Sequence, residues 1–230
     1  MGKYIIKERY NEKEDRKEEA IFYVDDNGNE IQISKWWKKV YLNGLVVGQS
    51  EYYIVKRDDD NEAIFNKDDK ENPITGWWNN IYSYGLVEGQ SEYYIVQNDD
   101  NEQAIFHKDD KENPITEWWK NIFIDGLIEG KSKYYIVQRN DDNKEAIFHK
   151  DDPEHPISKW WKLIYSNGLV NGESEYYIAK IDDDKEVILH KDYKNFFVAI
   201  SNNKKEIENI FNKIKDLPPL EVFLKYGNLC

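Results

Sequence analysis

The sequence predicts an α+β tandem-repeat fold: an open, curved array of about 41-residue units, each a β-hairpin followed by a short helix. Three observations predict it. The stretch from Glu51 to Ser91 returns from Glu92 to Ser132 with 28 of 41 positions identical. Paired tryptophans recur at Trp36-Trp37, Trp77-Trp78, Trp118-Trp119 and Trp160-Trp161, in steps of 41, 41 and 42 residues. Paired tyrosines starting at Tyr52, Tyr93, Tyr134 and Tyr176 keep the same steps. Units of this length cannot bury their apolar faces alone and become stable by stacking on neighbours.

The repeat region covers 1–192, with units at 3–50, 51–91, 92–132 and 133–174 and a partial one at 175–192. Residues 193–230 lack the tryptophan pair. With KKEIENIFNKIKDL they read as a divergent C-terminal cap that carries its own helix.

Within a unit, EYYIV and AIF flank an Asp- and Asn-rich loop, the pattern of a hairpin. In the first unit the loop grows to KERYNEKEDRKEE, the segment best suited to disorder. Next comes a Ser or Thr (Ser34, Thr75, Thr116, Ser158) placed as a helix N-cap, then the tryptophan pair. On a wheel of 100° per residue Trp36, Val40, Trp37 and Tyr41 fall at about 0°, 40°, 100° and 140°, one apolar stripe. Gly44, Gly85, Gly126 and Gly168 would close this helix at C′. At about nine residues it needs the tryptophans to hold it on the hairpin. If WWNNIYSYGLV is extended instead, the alternative is a five-bladed propeller-like ring.

The net charge is −13, concentrated at −5 over 51–91 and −6 over 92–132. Counterion release on nucleic acid needs clustered Lys and Arg, so direct DNA or RNA binding is excluded, and a protein partner, basic in character, fits better. No apolar stretch suits a secretory leader or a membrane span, and the lone Cys230 permits no internal disulfide, which together suit the cytoplasm.

The candidate contacts are the hairpin-tip carboxylates Asp58, Asp59, Asp60, Asp99, Asp100, Asp141 and Asp142, with the residues that vary on the solvent side of the helix. On a strand the two tyrosines of a pair point to opposite faces, so Tyr53, Tyr94, Tyr135 and Tyr177 could form an outer ladder. His107, His149 and His190 share one repeat position and read as surface residues. The acidic clusters do not match an EF-hand loop, and no triad, metal quartet or cofactor motif is present in the sequence. The function expected is a non-catalytic scaffold that binds a protein through its acidic tips and variable helix faces. Two further readings follow from the same residues: a nucleic-acid mimic that blocks a basic DNA- or RNA-binding protein, and a carbohydrate-binding array of exposed tyrosines.

Overall fold

Short aromatic and β-branched runs on either side of an acidic turn pair as antiparallel strands throughout the chain. The computed structural model describes residues 2–46, 48–82, 85–165 and 168–226. β1 (Lys3–Asn11), β2 (Arg16–Val24) and β3 (Glu30–Gln32) form the first sheet. The second comprises β4 (Lys39–Tyr41), β5 (Tyr52–Lys56) and β6 (Glu62–Asn66), and the third β7 (Asn80–Tyr82), β8 (Tyr93–Gln97) and β9 (Gln103–His107). The fourth holds β10 (Asn121–Phe123), β11 (Tyr134–Gln138) and β12 (Glu145–His149). A four-stranded fifth sheet has β13 (Leu163–Tyr165), β14 (Tyr176–Lys180), β15 (Glu186–His190) and β16 (Phe197–Ser201). The helices are α1 (Asn43–Val46), α2 (Asp125–Ile128), α3 (Lys204–Ile214) and α4 (Pro219–Tyr226). The chain divides into two compact units, Met1–Ile115 with the first three sheets and Thr116–Cys230 with the last two.

The tandem repeats are therefore present, as small antiparallel sheets, but the predicted tryptophan helix is not. The segments around Trp36-Trp37, Trp77-Trp78 and Trp160-Trp161 are extended and run along the open edge of the preceding sheet. Trp78 and Glu62 exchange both backbone hydrogen bonds (2.7 and 3.0 Å), as do Trp37 with Glu19 and Trp161 with Glu145. One step earlier the Ile74 N–H donates to the Ile64 carbonyl at 2.9 Å. Between these bonds a hydroxyl enters the ladder: Thr75 Oγ1 accepts from the Ile64 N–H (3.0 Å) and donates to the Gly76 carbonyl (2.8 Å). Ser34 and Ser158 do the same for Ile21 and Ile147.

These hydroxyls serve a strand of the sheet, not a helix N-terminus. An isolated nine-residue helix is marginal, whereas an uncovered edge strand leaves a row of unpaired backbone groups, so edge covering wins. Thr75→Val leaves the Ile64 N–H buried without its acceptor and is expected to cost about 1–3 kcal/mol in urea unfolding. Thr75→Ser should cost under about 1 kcal/mol, because it keeps the oxygen.

The chain then crosses to the next sheet, whose first strand begins two residues after the tryptophans. A buried or half-buried glutamate holds this crossing in place. Glu62 Oε2 accepts from the Ile81 N–H at 3.1 Å, Glu19 from Val40 at 3.1 Å and Glu145 from Ile164 at 2.6 Å. Glu19 and Glu62 each have a lysine within 4 Å, at 3.3 Å from Lys39 and 3.7 Å from Lys56. Burial pushes the Glu145 pKa up, and the backbone bond from Ile164 only partly offsets it. A raised folded-state pKa stabilises the fold below the unfolded value, and that stabilisation is lost as pH rises through the folded value. Glu145→Gln keeps the acceptor and sheds the charge, as Gln103 does at the same position of the third sheet. It is expected to stabilise the protein by about 1 kcal/mol at pH 7 in urea unfolding, with the gain shrinking as pH falls through the carboxylate range.

The predicted C′ glycines do not end a helix either. Gly44 and Gly126 lie inside α1 and α2, and the carbonyls of Gly44, Gly85, Gly126 and Gly168 each accept two backbone N–H bonds that close a turn. Within each compact unit two of these turns stack, Gly44 with Gly85 and Gly126 with Gly168. A Cβ on Gly44 would lie 1.7 Å from the Val87 carbonyl oxygen, and one on Gly126 1.9 Å from that of Val170. Leu45, Leu86, Leu127 and Leu169 beside them are buried.

The long first hairpin is ordered rather than disordered. Its nine-residue strands pair throughout, from Lys3 with Val24 to Asn11 with Arg16. The anchor is Glu18, which is 3% exposed and accepts from Arg9 (2.7 Å), Asn11 (2.9 Å) and Arg16 (3.0 Å). Burial alone would raise its pKa, but these bonds outweigh it and hold the carboxyl at about 2. A depressed folded-state pKa gives stability that is present above the unfolded value near 4.5 and lost as pH falls toward 2. Glu18→Gln is expected to cost on the order of 2 kcal/mol at pH 7 and much less at pH 3, read by urea unfolding at both.

In the fifth sheet β16 takes the edge that the tryptophan segments cover elsewhere, pairing with β15 from Glu186–Ser201 to Leu189–Phe197. Phe197 meets Trp161 at 6.2 Å, as Trp77 meets Trp37 and Trp160 meets Trp119. The end of α3 occupies the place of a further glycine turn. Ser174 Oγ donates to the Lys215 carbonyl at 2.7 Å, as Ser132 Oγ donates to that of Leu169 at 3.1 Å.

Candidate binding surface

The recurrent aromatic residues pack between sheets. Tyr53, Tyr94, Tyr135 and Tyr177 have 0% exposure, which corrects the outer tyrosine ladder. The pair points the other way because Tyr53, Tyr94 and Tyr135 each stack on a phenylalanine of the neighbouring strand, with centroids 5.7–5.8 Å apart and planes within 20°. Their hydroxyls find no hydrogen-bond partner among the described residues, and burial pushes their pKa values up. Trp37 packs on Phe65 (5.7 Å) and Trp77 (5.4 Å), and Trp119 on Phe148 (5.8 Å) and Trp160 (5.7 Å). Trp78 meets Phe106 at 5.5 Å, and Trp36, Trp77 and Trp160 lie under Arg9, Arg57 and Arg139. Trp118 is partly buried.

The hairpin tips hold the exposed acidic residues, and their geometry follows from Asp and Asn. In the second sheet the Arg57 N–H donates to the Asn61 carbonyl and the Asp60 N–H to the Arg57 carbonyl, turning Asp60 to φ 66°. Asn101 (62°) and Asn143 (59°) hold the same place at their own tips. Left-handed backbone is tolerated best by Gly, Asn and Asp, so this one position per tip, Asp60, Asn101 or Asn143, is dictated by the turn.

Several of the remaining carboxylates are neutralised from within. Asp58 pairs with Arg16, Asp59 with Arg57 (2.6 Å) and Asp60 with Lys38 (2.6 Å). The Arg57 and Lys38 hydrogen bonds lower the pKa values of Asp59 and Asp60. Asp141 and Asp142 both meet Arg139 (3.1 and 2.6 Å), which holds Asp142 far below the usual carboxylate range. Lys38, Lys120 and Lys162, each directly after a tryptophan pair, reach the next tip at Asp60, Asn143 and Asp183. This replaces the expected variable helix face: those residues bind the tips of their own chain. Asp99 and Asp100 differ. Both are exposed and, among the described residues, neither has an ion-pair partner. Sequence reasoning did not separate them from the other tips, although Asn98 in place of Arg57 or Arg139 was a visible signal.

His107 and His149 keep about a quarter of their side-chain surface, at 28% and 25%, but His190 is buried at 2%, which corrects its surface reading. Its ring lies 4.9 Å from Tyr176 and 5.3 Å from Tyr193. Among the described residues no group of three potential ligands could hold a metal ion, and no helix is long and apolar enough to cross a membrane.

No protein-family model and no curated protein matches the chain. Among solved structures, it is similar to the C-terminal WD40 domain of Sif2, with 9% identity, 75% of this chain and 51% of that one covered, and a TM-score of 0.35. For the WD40 β-propeller domain of Doa1 the values are 8%, 80%, 61% and 0.35, and for Kluyveromyces lactis Hsv2 13%, 75%, 74% and 0.24. The chain thus spans about half the length of the first and three fifths of the second. At TM-scores this low the likeness carries no argument, and the functional reading rests on this chain's own residues.

Proposed function

We infer that the protein is a cytoplasmic, non-catalytic repeat scaffold that binds a basic protein partner on its acidic hairpin tips, centred on the 98–102 tip. The observation behind this reading is the division of labour within each unit. The recurring Tyr, Phe, Ile and Leu residues form the buried core, the acidic tips are exposed, and among the described residues Asp99 and Asp100 are the predicted tip carboxylates with no cation of their own. Free carboxylates attract a basic surface without first breaking an internal pair. The carbohydrate reading loses its support with the burial of the four tyrosines. Residues 193–230 serve in this account as the terminal cap, with β16 and α3 supplying what a further unit would.

A labelled deca-lysine peptide tests the reading by fluorescence anisotropy at 50 and 200 mM salt. Salt-sensitive binding that falls about tenfold for Asp99→Lys/Asp100→Lys is the expected result. Glu154→Lys/Glu173→Lys, with the same change of net charge at another exposed place, should weaken it less. An equal loss from both pairs would reduce the effect to net charge and overturn the assignment.

A further inference from the structure

The C-terminal helix α4 is packed inside out. Among its apolar residues Val222 is buried at 1%, whereas Leu220 is 71%, Phe223 52% and Leu224 74% exposed. Beside this face opens a cavity of about 330 Å³ walled by Tyr193, Phe196, Val198, Leu220 and Phe223, with the buried His190 also on its lining. Exposed Tyr193 (53%) extends the patch on its far side. Contiguous apolar surface of this kind marks an interaction site. The patch offers a projecting side chain, Leu224, which does not line the cavity, next to a hole that could receive one.

A knob and a hole on one patch are what a two-fold interface requires, because the same surface must serve both partners. The charges agree. Two α4 helices laid antiparallel about Phe223 place Glu221 of one copy opposite Lys225 of the other, twice over, and neither residue has an ion-pair partner among the described residues. Residues 193–226 carry six lysines against four carboxylates, whereas 51–132 carries most of the chain's −13. Two copies meeting here therefore join segments that lack the strong negative charge of the central units. We propose that the protein self-associates as a two-fold dimer through α4, with Leu224 of each copy seated in the aromatic cavity of the other and Glu221 paired with the opposite Lys225.

Sedimentation equilibrium of the full chain from 1 to 200 μM tests this. The expected result is a concentration-dependent dimer whose dissociation constant rises at least tenfold with Leu224→Asp. That residue is exposed, so an unchanged thermal melt at low concentration certifies that the variant still folds. Glu221→Lys and Lys225→Glu should each weaken the dimer, and the double exchange should restore it, a recovery that a merely greasy contact would not give. A wild-type chain that stays monomeric to 200 μM overturns the proposal. So does a dimer indifferent to all four variants. A monomer that instead sediments with vesicles of anionic phospholipid, and loses this with Leu224→Asp, would assign the patch to a lipid surface.

Discussion

Gly126→Ala is expected to destabilise the protein by about 3 kcal/mol, a fall in melting temperature on the order of 10 °C, through the addition of one methyl group. The new Cβ would sit 1.9 Å from the Val170 carbonyl oxygen and 2.9 Å from Ser132 Cβ. The first of these is backbone, which cannot rotate away, so the two stacked turns must separate. As they do, Leu127 and Leu169 lose burial and Ser132 loses its bond to the Leu169 carbonyl. Gly28→Ala is the control. Gly28 has φ 84° in an exposed turn with nothing within 4 Å of its would-be Cβ, so the cost there is backbone strain alone, about 1 kcal/mol. Paired thermal melts at one protein concentration read the difference. Equal costs at the two sites would mean that the turns do not stack as described.

The second large effect separates packing from contact chemistry. Tyr135→Ala is expected to cost about 3–5 kcal/mol, because a fully buried ring stacked on Phe148 leaves a cavity at the base of the Trp119, Phe148 and Trp160 cluster. Tyr135→Phe should be neutral or slightly stabilising. Its hydroxyl has no partner among the described residues, and removing a buried polar group that makes no bond relieves a desolvation cost. Urea unfolding of the two variants supplies the test. A hydroxyl that mattered to a ligand would show the reverse order: stability preserved in the alanine variant, and binding lost in the phenylalanine one.

Much of this molecule was legible from its sequence. The 41-residue period, the hairpins and the acidic tips follow from recurrence and from turn chemistry, and the sheets carry them. The tryptophan segment was misread because its periodicity is ambiguous. Trp36, Trp37, Val40 and Tyr41 make a helical stripe on a wheel, yet in the structure Trp37 lies on one sheet edge and Val40 opens the core of the next. A segment that serves two sheets in turn imitates a helix, since its apolar residues fall in two short runs. The open edge of β6 was the missing consideration: a three-stranded sheet with a buried outer strand needs a cover, and Thr75 with Trp78 is that cover.

The tyrosine pair failed for a related reason. Strand alternation says that the two rings point to opposite faces, but not which face is inner. The answer lies in register, where Tyr53 stands opposite Phe65 and Tyr135 opposite Phe148, on the strands that carry the core. The free tip at Asp99 and Asp100 was hidden because the neutralising partners come from elsewhere in the chain. Lys38 is 22 residues from Asp60, and Arg16 belongs to the first hairpin.

The extended tryptophan segment is the claim on which the rest depends, since it places the aromatic residues between sheets and leaves the acidic tips as the exposed surface. The direct measurement is the ¹³Cα secondary chemical shifts of Trp36-Trp37, Trp77-Trp78 and Trp160-Trp161, with amide exchange of Ile64, Trp78 and Trp161 on the same sample. Negative, strand-like shifts with these three amides protected to the level of the sheet are predicted. Positive shifts over each pair would establish the helix that the wheel suggests and would contradict the account.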